Sequence, residues 1–237
     1  MTPRIHPLTA SDLMALWEHG STLDDASRAV LLLSHGEGIA PDDAFRLDIG
    51  RRDQMLLELR SATFGSRLET YLECDGCGEA MEFAMEARQF QVTRREAANT
   101  TSLGSWQVRL PDSRDLRAAS GCESTEAAER TLFLRCVTDG EGNAAEASPD
   151  NLEAFSRWME EVSPEMELLV EMDCPACGRH RAVAFDVASF FWREIESACS
   201  RLVREVDALA RVYGWSEREI LDMSVARRRL YIEAVTA

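Results

Sequence analysis

Apolar residues recur every three or four positions through the first 65 residues, and the punctuation between them predicts four helices. Thr9 or Ser11 is placed to cap the first, which carries Leu13, Leu16 and Trp17 and stops at Gly20. A second runs from about Asp24 through Ala29, Val30, Leu32 and Leu33 to a loop at 36–38, and Pro41 opens a short third. The fourth starts near 48–51, carries Met55, Leu56, Leu59 and Phe64, and ends at Gly65. From Arg67 the period changes to two: Leu68, Tyr71 and Leu72 lead into Cys74, and Met81, Phe83 and Met85 follow Cys77, which reads as a hairpin with a knuckle at its tip. Residues 89–101 read as a loop and Trp106, Val108 and Leu110 as a strand stopped by Pro111. Helices follow at about 113–120 and 124–137, the second carrying Leu132, Phe133, Cys136 and Val137.

Residues 138–149, rich in Gly, Ala and Glu, read as a loop or mobile insert. Pro149 opens a helix with Leu152, Phe155, Trp158 and Met159. Met166, Leu168, Val170 and Met172 then alternate into Cys174, and Val183 and Phe185 return from Cys177. The longest predicted helix, about 187–213, holds Phe191, Ile195, Cys199, Leu202, Val206, Leu209 and Tyr213 on one seam, three or four residues apart. After Gly214, Ser216 and Glu219 form a capping box, and Ser224 caps a last helix with Val225, Leu230, Tyr231 and Val235. Three regions follow: helical 1–65, a sheet region with inserted helices 66–186, and helical 187–237, expected to fold as one cooperative unit. The class is α+β and mostly helical.

Composition narrows the function. Twenty-six basic against 42 acidic residues leave a formal charge of −16, the wrong sign for tracking phosphates, so nucleic acid and anionic membranes are disfavoured partners. No run approaches the ~20 apolar residues of a membrane span, and the first residues lack the apolar run of a signal peptide. A cytoplasmic protein is expected, in which seven cysteines serve as thiols or metal ligands rather than disulfides.

Four of those cysteines form two knuckles that echo each other, Cys74-Asp-Gly-Cys77-Gly78 and Cys174-Pro-Ala-Cys177-Gly178. The glycine after each pair permits a tight left-handed turn whose amides face the sulfurs. Four thiolates suit one tetrahedral Zn2+, and a site closed by four protein ligands leaves no position for water or substrate, so the metal is expected to be structural. Each Cys-x-x-Cys lies between strands rather than at the helix N-terminus a redox dithiol needs. With 96 residues between the pairs, zinc would join distant hairpins into one sheet and make folding metal-dependent. Cys122, Cys136 and Cys199 read as small core side chains.

No catalytic constellation stands beside the cysteines. His6, His19, His35 and His180 are scattered, Gly36-x-Gly38 and Gly140-x-Gly142 lack a nucleotide loop's context, and Ser11, Ser34 and Ser66 lack a nucleophile elbow. Arg227, Arg228 and Arg229 fan around a helix and read as a solvated face or as caps on carbonyls, and Trp215 as an anchor for the terminal helices.

Three landmarks, Gly50-Arg-Arg-Asp53 with Leu56-Leu57, Leu59-Arg60 and Phe64-Gly65, the two knuckles, and Tyr213-Gly-Trp-Ser-Glu-Arg-Glu-Ile-Leu221 followed by Arg228, Arg229 and Tyr231, together resemble the T4-type phage base-plate protein family as found with extracellular contractile injection systems. The resemblance spans about residues 21–235. It implies a non-enzymatic component or assembly factor of a contractile, phage-tail-like baseplate, with other baseplate, hub or spike subunits as partners and possible incorporation into the particle. No catalytic residues come with it; Cys74, Cys77, Cys174 and Cys177 are carried over as zinc ligands. The competing class is a free-standing zinc-ribbon adaptor binding protein or nucleic acid.

Overall fold

A computed structural model describes residues 5–90, 100–166 and 168–236. The N-terminal helices are α1 (Ala10–Gly20), α2 (Asp25–Glu37), α3 (Pro41–Arg46) and α4 (Ile49–Phe64). Their starts obey local capping chemistry. Thr9, not Ser11, caps α1 through a capping box with Asp12, and Asp24 and Asp48 accept the amides of Ser27 and Arg51 at α2 and α4. Gly38 closes α2 in the left-handed region at φ 65°. Gly20 does more than end α1: a Cβ there would lie 2.3 Å from the Trp192 ring, so its missing side chain admits the indole.

Hairpin β1 (Arg67–Glu73) and β2 (Ala80–Glu86) follows, then a 3-10 turn at Ala87–Phe90. The predicted loop at 89–101 lies partly outside the described residues, and its end is strand β3 (Thr100–Leu103), which pairs with β4 (Trp106–Arg109). Helices α5 (Ser113–Ser120) and α6 (Thr125–Cys136) lead into β5 (Val137–Asp139), which pairs with β4. Residues 140–148 form the expected loop, and it is anchored at both ends rather than free. Thr138 and Asp139 lie in the ladder, and Ala145 and Ala147 are buried, because small side chains fit against the neighbouring Phe133 and Phe155. Helix α7 (Pro149–Val162), hairpin β6 (Leu169–Asp173) and β7 (His180–Ala184), the long α8 (Val187–Tyr213), α9 (Glu217–Leu221) and α10 (Val225–Thr236) complete the chain.

The expected single sheet is two. Hairpins β1–β2 and β6–β7 are separate antiparallel ladders with no strand pairing between them among the described residues. Each has one more apolar face, and those faces meet: Leu72 and Met81 of the first pack with Met172 of the second around Cys74 and Cys174. Burying apolar faces against each other satisfies both hairpins without extending a ladder.

The main core joins α1, α2, α4 and α8 to the roots of both hairpins, through Leu16, Leu33, Leu56, Leu68, Phe191 and Ile195 among others. The seam read along the long helix is buried at Phe191, Ile195, Cys199, Leu202 and Leu209, and emerges at the exposed Tyr213. Helix α4 is buried on nearly every side, including Arg52, Asp53, Gln54 and Arg60. Each polar member is paired. Arg52 Nε donates to Asp53 Oδ1 at 2.7 Å, Gln54 Nε2 to the Phe90 carbonyl at 2.7 Å, and Arg60 makes a two-pronged bridge to Glu194 of α8 at 2.7 and 2.5 Å. Burial raises the Asp53 carboxyl despite the opposing charge of Arg52.

A second apolar cluster lies among β4, β5, α6 and α7, built on Val108, Phe133, Phe155 and Trp158 with Trp106 edge-on to Phe133. Its polar centre is Asp115 of α5, whose side chain is fully buried and which accepts from Arg109 at 2.5 and 3.0 Å, Arg135 at 2.7 Å and the Asp112 amide at 2.9 Å. At the C-terminus Trp215 stacks on Tyr213 (4.4 Å between ring centroids) and meets Tyr231 edge-on (4.9 Å), tying α10 to the end of α8 as expected of an anchor. The basic run divides between its two expected roles, a carbonyl cap at Arg228 and a solvated face at Arg227 and Arg229, and adds a buried ion pair. Arg228 is buried, held by Glu205 of α8 at 2.5 Å and donating to the Met223 carbonyl at 3.2 Å, while Arg227 and Arg229 remain exposed.

Candidate metal centre

The two ladders end in matching turns. In the first, the Cys74 amide donates to the Glu79 carbonyl at 2.8 Å and the Gly78 amide to the Cys74 carbonyl at 2.7 Å; in the second, Cys174 donates to Arg179 at 2.9 Å and Gly178 to Cys174 at 2.8 Å. Gly78 and Gly178 have φ of 75° and 70°, the left-handed conformation expected from their place after each pair. Gly178→Ala keeps all four sulfurs and places a Cβ in that conformation, so a loss of about 1–2 kcal/mol is expected from the denaturation midpoint, with metal content unchanged.

The turns bring Cys74, Cys77, Cys174 and Cys177 together, with all four Sγ atoms within 4.8 Å of one another. Two of the contacts cross between hairpins: Cys74 to Cys177 and Cys77 to Cys174, each 3.7 Å. An ion bonded to four sulfurs at about 2.3 Å in a tetrahedron requires S···S edges of about 3.8 Å, so the cluster is already close to the spacing that zinc asks for. Cys74 and Cys174 are buried and Cys77 and Cys177 exposed, which sets the site at the surface with one flank facing solvent.

The electrostatics of the sulfurs are consistent with a cation at their centre. Amides of Gly76 and Cys77 point at Cys74 and, with help from the other thiols, hold it down to about 6. The Glu79 amide favours the Cys77 thiolate, but hydrogen bonding with Cys177, burial, Cys174 and Cys74 outweigh it and push Cys77 up to about 12. One sulfur ionises readily and its neighbour resists, because two thiolates at this distance repel. A divalent cation among them removes that penalty. Cys136, pushed up to about 12 by burial and the nearby Asp115 charge, and Cys199, pushed up to about 11 by burial, stay protonated in the apolar clusters where the sequence placed them. Cys122 is half-buried and within 3.3 Å of the Thr131 hydroxyl.

A second link between the knuckles escapes a search for ligands. Asp75, inside the first Cys-x-x-Cys, faces Arg179 at 3.4 Å and Arg181 at 3.4 Å across the site, and Arg181 also donates to the Glu73 carbonyl at 3.1 Å. The sequence signal was an acidic residue in one knuckle and two arginines, two apart, leaving the other. These partly exposed pairs orient the turns and add little stability. His180 lies away from the sulfurs on an exposed strand position and pairs with Asp173 at 2.9 Å, and His35 pairs with Asp12 at 2.9 Å.

The arrangement can hold one metal ion through four sulfurs. No helix among the described residues is long and apolar enough to cross a membrane. Comparison with protein-family models, with curated proteins and with solved structures finds no match to this chain.

Proposed function

We infer that this chain is a non-enzymatic component or assembly factor of the baseplate of a contractile, phage-tail-like injection system, held together by one structural Zn2+. The observation that carries the reading is that every residue group behind the family resemblance has an architectural place. Arg52 and Asp53 of the Gly-Arg-Arg-Asp segment form a buried ion pair in α4, the four cysteines converge in a closed cluster, and Tyr213, Trp215 and Tyr231 clasp the terminal helices. The partners on this reading are other baseplate, hub or spike subunits.

The adaptor alternative gains nothing from the hairpins' outward faces, which carry Glu69, Glu73, Glu82, Glu171 and Asp173, all exposed and repulsive to nucleic acid. Mass spectrometry of intact particles and of their assembly intermediates, purified from the native host, tests the reading. This chain is expected in one or the other, and its absence from both would overturn the assignment. Salt-sensitive binding to nucleic acid would instead favour the adaptor.

A further inference from the structure

A groove of about 940 Å³ runs between the start of α1, the end of α4, α8 and the α9–α10 pair. Its floor is apolar: Leu8, Leu13, Phe64, Leu202, Leu221 and Ile232. Its rim is basic, in a chain whose overall charge is −16. Arg201, Arg228 and Arg229 line it against only two carboxylates, Glu205 and Asp222. Glu205 is engaged by Arg228 at 2.5 Å and lies 4.0 Å from Arg201, so one carboxylate serves two guanidiniums. Asp222 leans towards Arg218 at 3.7 Å, and Arg229 has no ion pair among the described residues. The first turn of α10, which holds no acidic residue, also lines the groove, and its dipole adds positive potential; that of α1 is answered by Asp12 within its own capping box.

We propose that this groove docks an acidic amphipathic segment of a partner protein, its apolar face on the floor and its Asp or Glu side chains on Arg201 and Arg229. The layout decides between occupants. Small-molecule sites set a few directed polar groups among the apolar lining to orient the ligand. Here the inner guanidinium, Arg228, is already satisfied by Glu205 and the Met223 carbonyl, whereas Arg201, which only shares Glu205 at 4.0 Å, and Arg229 sit exposed at the rim, which is how protein interfaces distribute polarity. Val225, 67% exposed on the lip, extends the apolar surface outwards. Charge complementarity selects the partner's sign: a rim with surplus guanidinium attracts carboxylates and repels a basic segment. The surface suits such a segment whether its owner is a baseplate subunit or another protein.

The test uses the zinc-loaded full-length protein and a fluorescein-labelled model peptide of about five helical turns, with leucines on one face and glutamates flanking them. Fluorescence anisotropy is expected to report saturable binding that weakens as sodium chloride is raised. Arg201→Glu and Arg229→Glu are each expected to weaken it about tenfold, the scale of one lost ion pair in a docked interface. Both side chains are exposed, so folding is retained, as thermal melts and metal content would show. Ile232→Glu, on the floor, is expected to weaken binding of the same peptide, and a peptide with lysine for glutamate is expected not to bind. No binding, equal binding of the acidic and basic peptides, or indifference to all three substitutions would overturn the proposal. So would a concentration-dependent dimer dissolved by the arginine substitutions, which would make a second copy of this chain the occupant.

Discussion

Protein purified without chelator is expected to carry about one zinc per chain, and removing that metal is expected to unfold it. Apparent binding free energies of structural zinc sites are about 10–16 kcal/mol near neutral pH, as large as the whole stability of a typical domain. A metal at this site would act on a wide stretch of structure, because the four cysteines are up to 103 residues apart and sit on separate hairpins. Without an ion, the hairpins are joined at their tips by half-exposed ion pairs around Asp75 and by a small apolar cluster, and the four sulfurs crowd one another. Cys174→Ala removes a buried ligand and is expected to give insoluble or molten protein.

The sign of the pH effect follows from the ligand chemistry. Zinc binds thiolates, whose ordinary pKa is about 8.5, so protons compete with the metal increasingly as pH falls. The stabilisation is present at neutral and alkaline pH and lost on acidification. Metal release, followed with a chromogenic chelator that reaches the exposed Cys77 and Cys177 flank, should coincide with loss of far-ultraviolet circular dichroism. Folded, soluble protein containing no metal would refute the structural role.

The second large effect is expected at Asp115. Replacing it with alanine leaves two guanidiniums and the Asp112 amide without the acceptor they share, and breaking a buried pair in this way costs about 3–5 kcal/mol. The lower end, about 3 kcal/mol, is expected because Arg109 and Arg135 are partly exposed and can recover water. Burial by itself would raise the Asp115 carboxyl, but the hydrogen bonds from Arg109, the Asp112 amide and Arg135 prevail and hold it well below the usual carboxylate range. Its contribution is therefore complete above the ordinary carboxyl pKa of about 3.9 and lost as pH falls towards the depressed folded value. The damage should centre on the smaller apolar cluster, where Trp106 and Trp158 sit, so tryptophan fluorescence should redshift at lower urea than in the parent. A change below about 1 kcal/mol would show that the buried carboxylate is dispensable.

Much of the fold was legible because its cues are local. Thr9, Asp24, Asp48, Ser148, Asp186 and Ser216 each accept an amide within three residues, so the helix starts are written where they occur. Alternation exposed both hairpins, and the paired cysteines with their following glycines exposed the metal centre. Residues 140–148 are the loop that their short, small and polar side chains suggest, apart from one isolated bridge between Thr138 and Ala144; local sequence did not show that Ala145 and Ala147 would be buried in the cluster formed with α6 and α7.

Alone, then, the amino-acid sequence determined what is settled within a turn or a few alternating residues: helix beginnings and ends, the apolar seam of α8, and which four sulfurs can share an ion. Tertiary structure alone decided that the two hairpins meet face to face as separate ladders, that Gly20 admits Trp192, and that Arg60, Arg228 and Asp115 are buried. A polar side chain can be buried only if a partner arrives, and for Arg60 that partner is Glu194, 134 residues along the chain. Periodicity carries no information about such a meeting. It arises when helices and hairpins pack their apolar faces, and the charges then occupy the few places where opposite signs coincide.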